Sequence, residues 1–294
     1  MTEILRGKEV AVATKAEIKA ENEAFIKETQ IVPCLAVILV GTDPASVSYV
    51  TGKRQACEEV GFKCVDYDLP FETSEEELLA VIDKLNKDDS VHGILVQLPL
   101  PKHLDEEKVL DAIDYRKDVD GLNAQNVGAV TLGKRGFISC TPQGVLKILD
   151  YYHIPTDGKK VVIVGRSNLV GKPLSSLLMQ KGRDATVTVC NTHTKDLKAE
   201  TLQAEILIVA TGRPNTVTAD MVNEDAVVID VGVNRVPDST KEKGWRLCGD
   251  TDYKALKDKV KAITPVPGGV GPMTITMLMK NTLLAARWYG KKIV

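Results

Sequence analysis

Residues 159–179 read KKVVIVGRSNLVGKPLSSLLM. The apolar run through Val164 has no polar face, and such strands belong in parallel sheets covered on both sides. The chain then turns tightly at Gly165 and enters an amphipathic stretch, which is the strand–turn–helix context that a dinucleotide-binding turn requires. A helix starting there offers N–H groups and the positive end of its dipole to a pyrophosphate. The G-x-G-x-x-G pattern is only partly met, because Ser167 and Val170 stand at its second and third glycine positions and Gly171 follows one residue late. Alone, the segment also reads as a strand-to-helix turn without a ligand.

The same rhythm extends in both directions. Short β-branched and aliphatic runs predict strands at 35–40, 64–68, 93–97, 161–165, 186–190, 205–210 and 226–231. Helices are expected at 13–29, 45–60, 74–86, 105–112, 142–152, 171–181, 218–222 and 272–289, the last opening on a Gly-Pro step. Between Asp118 and Pro142 neither period is present and Gly and polar residues abound, which marks a boundary. At 294 residues the chain has about twice the ~150 of one domain. The expected fold class is therefore α/β, with two α/β lobes and a cleft between them. Residues 1–140 form the first lobe, 141–272 a Rossmann-type second lobe, and a helix over 273–294 packs back on the first.

Composition excludes several functions. Lys plus Arg (38) nearly balance Asp plus Glu (40), so there is no cationic field for a nucleic-acid backbone. The longest apolar stretch, Leu35–Val40, is far short of the ~18 residues of a membrane span. The first residues, MTEILRGKEVAV, lack a signal-peptide core, so the protein is expected to remain in the cytoplasm. The six cysteines and four histidines are scattered without metal-ligand spacing, so reduced thiols and no metal site are expected.

After the strand at 186–190 the chain reads Cys190-Asn191-Thr192-His193-Thr194. An NAD site normally carries a carboxylate there for the ribose 2′-OH. Its absence, with Arg166 in the preceding turn, favours a 2′-phosphate and hence NADP. Two later strand exits, Ala210–Pro214 and Asp230–Asn234, also present glycines where a cofactor could approach closely, unless they are simple exit turns.

In the first half, Tyr49 and Lys53 are spaced i, i+4 and share a helix face. Such a lysine is ordinarily a solvated charge. Gln97, however, ends an apolar strand just before Leu98-Pro99-Leu100-Pro101, at the sheet edge where α/β folds gather ligands. A buried lysine held by that amide would have a lowered pKa and could exchange protons near neutrality. Asp118 and Asp120 lie in KDVDG at 117–121. One aspartate reading the N–H edge of a heterocycle is the better functional reading, against a metal pair or a plain Asp-Gly turn. The stretch Thr264–Thr274, TPVPGGVGPMT, has more proline and glycine than a turn needs and is read as a ligand-contacting loop.

Together YVTGK at 49–53, VQLPLP at 96–101, KDVDG at 117–121, CTPQG at 140–144, GRSNLVGKP at 165–173, ATGRPN at 210–215, DVGVNR at 230–235 and TPVPGGVGPMT at 264–274 resemble the bifunctional methylenetetrahydrofolate dehydrogenase/cyclohydrolase (FolD) family over nearly the whole chain. The resemblance implies oxidation of 5,10-methylenetetrahydrofolate by NADP+ and hydrolysis of the methenyl product to 10-formyltetrahydrofolate, in a homodimer. It implies Lys53, Tyr49, Gln97 and Asp120 as catalytic residues, Lys53 managing protons and Asp120 recognising the pterin edge. Val96, Gln97 and Leu98 would bind substrate with Tyr49, Lys53 and Asp120, and Pro267, Gly268, Gly269, Val270 and Gly271 would close over the folate. Gly165, Arg166, Ser167, Thr192 and Val233 would contact NADP. The family usually has His-Ser-Lys or His-Ser-Arg where this chain has Asn191-Thr192-His193, which replaces a fixed cation with a titratable imidazole. Other readings are a monofunctional dehydrogenase, against which Tyr49, Lys53 and Gln97 together argue, and a non-catalytic NADP-binding sensor.

Overall fold

The computed structural model describes residues 1–290. The chain opens with a short strand, β1 (Glu3–Ile4), and helix α1 (Gly7–Thr29). This helix begins at 7 and not at 13, because its buried face runs through Val10, Thr14, Ile18 and Asn22, and the polar members hide the apolar period. Next come β2 (Cys34–Val40), α2 (Pro44–Val60), β3 (Lys63–Leu69), α3 (Glu75–Lys87) and β4 (Gly93–Val96). Asp43 caps α2 by accepting from Ser46 N at 2.9 Å, Pro44 fits its first turn, and Gly61 ends it at φ 79°. Helices α4 (Glu106–Asp111) and α5 (Ala124–Thr131) follow. The latter falls inside the stretch expected to be irregular. Its inward face carries Asn126 beside Val130, so the apolar stripe that announces a helix is missing.

The second half contains α6 (Cys140–Tyr151), β5 (Lys160–Val164), α7 (Gly171–Leu178), β6 (Thr186–Cys190), α8 (Leu197–Thr201), β7 (Ile206–Val209) and β8 (Val227–Asp230). It continues with an antiparallel hairpin of β9 (Asn234–Pro237) and β10 (Trp245–Cys248), then α9 (Tyr253–Leu256), β11 (Ala262–Ile263) and α10 (Gly271–Tyr289). The expected helix at 218–222 is a single 3₁₀ turn over Ala219–Met221.

The chain divides into two compact units. One comprises Val12–Cys140 and the chain from Ile275, and contains a parallel sheet in the order β3-β2-β4. Its central strand β2 is buried at every residue, which is why LAVILV stands out in the sequence. The other comprises Met1–Ala11 and Thr141–Thr274, with a six-stranded parallel sheet in the order β1-β11-β8-β7-β5-β6. Residues 1–11 thus leave the expected 1–140 lobe, because β1 pairs with β11, placing Glu3 beside Ala262. The expected terminal helix over 273–294 starts at Gly271, and positions 291–294 lie outside the described residues. In the larger sheet the chain runs from β5 to β6 on one side and crosses to β7 on the other, so the switch point lies at the carboxyl ends of β5 and β7.

One buried histidine makes the three-stranded unit acid-sensitive. His92 Nδ1 accepts from Cys34 N at 3.1 Å and so ties the starts of β2 and β4. Burial, with a contribution from nearby Lys117 opposed by Asp88, pushes its imidazole down to about 4. The unfolded chain titrates near ~6.5, so it binds more protons than the folded chain between these values and stability falls as pH drops through that window. We expect His92→Gln to reduce by roughly 2–3 kcal/mol the stability lost between about pH 7 and about pH 4. Urea unfolding of both proteins at the two pH values checks this, and parallel losses would exclude His92 as the source.

Candidate functional site

In the three-stranded unit the candidate groups gather past the carboxyl ends of β2 and β4. Lys53 lies on α2, which follows β2, and is 9% exposed. Its ammonium donates to Gln97 Oε1 at 2.7 Å. Gln97 is the first residue after β4, and its N–H continues the ladder by donating to Ile38 O at 2.8 Å. Its amide NH₂ donates to Leu98 O, which turns Oε1 towards the lysine. Burial pushes the Lys53 pKa down, while Asp120 and Cys140 pull it the other way. A larger neutral fraction than an ordinary lysine has is the result. Tyr49, one turn earlier on α2, is 49% exposed.

The two aspartates of the KDVDG loop divide sharply. Asp118 is buried and accepts from Gly121 N, Leu122 N, Asn123 N and Asn126 Nδ2 at 2.8–3.3 Å, so it is the scaffold of the loop. Asp120 remains partly exposed and close enough to favour the charged form of Lys53. From α10, Asn281 Nδ2 donates at 2.9 Å to both Val119 O and Ile138 O and closes the loop from behind. Cys140 is fully buried, and burial beside Asp120 pushes its thiol up and keeps it protonated. Neither Asn281 nor the place of Cys140 beside Asp120 is foreseen from sequence. CTPQG marks the segment of Cys140, whereas Asn281 sits in a helix with no local signal. Val96, expected to bind substrate, points into the apolar core of this unit and has only its backbone to offer, while Leu98 is partly exposed.

In the six-stranded unit the turn after β5 occupies the switch point. Gly165 donates to Cys190 O at 2.9 Å and adopts φ +122°; a Cβ there would stand 2.1 Å from Ala210 O. A Cβ at Gly171 would stand 2.0 Å from Gly165 O, so turn and helix start are packed backbone to backbone. No side chain caps the start of α7, and Ser167 Oγ accepts from Val170 N at 3.1 Å. Arg166 is exposed in this turn, and Thr192 and Val233 are exposed after β6 and β8. Asn191 Oδ1 accepts from His193 N at 2.9 Å, and no carboxylate follows β6 before Asp196. An uncapped helix start, a guanidinium and a carboxylate-free strand end fit a dinucleotide with a 2′-phosphate. The proline-glycine loop is tightly folded, since a Cβ at Gly269 would meet Pro265 O at 2.4 Å. Its Gly268 O accepts from Lys8 N at 3.0 Å. Val270 is buried in it, whereas Pro267, Gly268 and Gly271 reach its surface.

Residues 5–120 match the model described as the tetrahydrofolate dehydrogenase/cyclohydrolase catalytic domain, and residues 139–289 match its NAD(P)-binding domain. The chain belongs to the tetrahydrofolate dehydrogenase/cyclohydrolase family. Among its relatives, the "Bifunctional protein FolD" of Phocaeicola vulgatus is 52% identical, over 99% of each chain. The crystal structure of the bifunctional FolD methylenetetrahydrofolate dehydrogenase/cyclohydrolase of Campylobacter jejuni superposes with a TM-score of 0.92 at 48% identity, covering 98% of this chain and 99% of that one. The Trypanosoma brucei enzyme, solved with NADP and an inhibitor, has a TM-score of 0.92 at 35% identity over 97% of each chain. The tetrahydrofolate dehydrogenase/cyclohydrolase family thus accounts for both units, each matched by its own model.

Proposed function

We propose that this chain oxidises 5,10-methylenetetrahydrofolate to 5,10-methenyltetrahydrofolate with NADP+ and hydrolyses the product to 10-formyltetrahydrofolate. The observation that carries the reading is the buried Lys53–Gln97 pair beside Asp120, in the unit that matches the family's catalytic domain. NADP+, when bound, supplies the hydride acceptor. Gly165, Arg166, Ser167, Thr192 and Val233 would hold it, Arg166 pairing with the 2′-phosphate. Asp120 accepts from the N–H edge of the pterin, Tyr49 packs against the folate, and the backbone of Val96–Leu98 lines its site. The family resemblance adds Pro267–Gly271 to the residues proposed to bind the folate.

In the second reaction water adds to the methenyl carbon, the carbon–N5 bond breaks, and the formyl group remains on N10. The neutral amine of Lys53 takes one proton of the attacking water and returns it to N5 as that bond opens, while the second proton of that water leaves to solvent as the formyl C=O forms, so the cationic substrate yields a neutral product and one released proton. Gln97 holds the amine through its Oε1 and leaves the nitrogen lone pair free for this exchange. A cytoplasmic homodimer belongs to the same reading and is supported by family membership; sedimentation of the purified chain tests its dimeric part.

Steady-state oxidation with each dinucleotide tests the assignment. We expect kcat/KM to favour NADP+ over NAD+ by at least about tenfold, as one charge-assisted pair to a phosphate allows. Arg166→Ala should remove most of that advantage and leave NAD+ turnover nearly unchanged. A preference of the unmodified chain for NAD+ would overturn the cofactor choice, and failure to reduce either dinucleotide would overturn the reaction.

A further inference from the structure

We infer that Asp250 is a positioning residue of the dinucleotide site, a buried carboxylate that fixes both loops leaving β7 and β8. The inference rests on the dinucleotide reading above. Asp250 is wholly inaccessible to solvent and lies just beyond β10, far in sequence from the groups it holds. Its Oδ2 accepts from Thr211 N at 2.6 Å and from Gly212 N at 2.9 Å, the two amides that open the loop after β7. Its Oδ1 accepts from Asn234 Nδ2 at 2.8 Å, in the segment after β8. Gly232 is what admits the carboxylate, for a Cβ there would stand 2.0 Å from Oδ1.

Both loops matter to the site. Thr211 follows Ala210, whose carbonyl packs against Gly165 at the switch point. Asn234 follows Val233, which is exposed at the carboxyl end of the neighbouring strand. Asp250 therefore sets the spacing of two neighbouring strand exits at the edge where open α/β sheets bind their ligands. A second carboxylate fixes Asp250 in turn. Asp230, at the end of β8, accepts from Asp250 N at 2.9 Å through Oδ1 and from Thr251 N at 2.9 Å through Oδ2. Burying a carboxylate is costly unless donors surround it, and three donors from two separate loops meet that cost only while both loops hold their places.

In Asp250→Asn the side chain keeps its shape but gains two N–H donors. Whichever way the amide turns, an N–H faces another N–H, at Thr211 and Gly212 or at Asn234, unless Asn234 flips and gives up its bond to Gly249 O. We expect the Kd and KM for NADP+ to rise about tenfold or more, with kcat for oxidation changing less. Hydrolysis of methenyltetrahydrofolate assayed without dinucleotide should change by less than about threefold. Equal losses of the two activities with a lowered melting midpoint would make Asp250 purely structural and overturn the inference, as would an unchanged Kd. Asn234→Ala provides a second test if the first variant does not fold. It removes one donor, and we expect a rise of about threefold in Kd for NADP+, with no change counting against the inference. Failure of the unmodified chain to bind NADP+ would refute the dinucleotide reading itself.

Discussion

Lys53→Met is expected to slow hydrolysis of methenyltetrahydrofolate by about 10²- to 10⁴-fold, the range supplied by a positioned proton-transfer group, while NADP+ still binds. Methionine fills the space of the lysine stem but cannot exchange a proton, and it leaves Gln97 Oε1 without the donor now 2.7 Å away. That stranded acceptor costs about 1–3 kcal/mol of stability at most, too little to unfold an ordinary domain. Oxidation should suffer far less, because hydride loss from the aminal carbon needs positioning more than proton transfer. The unmodified enzyme should also show hydrolysis rising with pH through the lowered Lys53 pKa, since the proposed proton transfer uses the neutral amine. Stopped-flow decay of the methenyl absorbance measures both effects, and normal hydrolysis in the variant would remove Lys53 from the reaction.

Gly165→Ala is the second large effect. The added Cβ would lie 2.1 Å from Ala210 O and 2.9 Å from its carbonyl carbon, both backbone atoms that cannot swing away, at a φ of +122° that L residues rarely adopt. Backbone strain and overpacking together should cost roughly 3 kcal/mol or more. Any protein that folds should bind NADP+ at least about tenfold more weakly, since β5 and β7 must separate at the switch point. Gly128→Ala is the matched control. Gly128 lies inside α5 with open space where a Cβ would go, so alanine should stabilise by about 0.5–1 kcal/mol. Urea unfolding of the two variants should therefore move in opposite directions.

What could be read from the chain followed from how local the signal was. β2, β5, β7 and β8 are buried throughout or nearly so, and each leaves an unbroken aliphatic run in the sequence. The i, i+4 spacing of Tyr49 and Lys53 and the position of Gln97 at a strand end suffice to suggest the lysine site, because each feature spans a few residues. β1 and β11 are two-residue strands joined across most of the chain, and nothing local distinguishes them from loop. Asp118 and Asp120 look alike in sequence. Burial separates them, one surrounded by donors from its own loop and the other left towards the lysine. Asn281 and Asp250 act through backbone groups more than thirty residues away, so their roles exist only in the folded chain.

In the reaction proposed here, one chain performs oxidation and hydrolysis in sequence, with Lys53 serving the second step. A single progress curve of the unmodified enzyme with methylenetetrahydrofolate and NADP+, following NADPH, methenyl- and 10-formyltetrahydrofolate together, tests it most directly. NADPH is expected to equal the sum of the two folate products, the methenyl species to pass through a maximum, and 10-formyltetrahydrofolate to accumulate faster than by spontaneous hydrolysis. NADPH formation with methenyltetrahydrofolate as the lasting product, and hydrolysis no faster than in buffer, would contradict it.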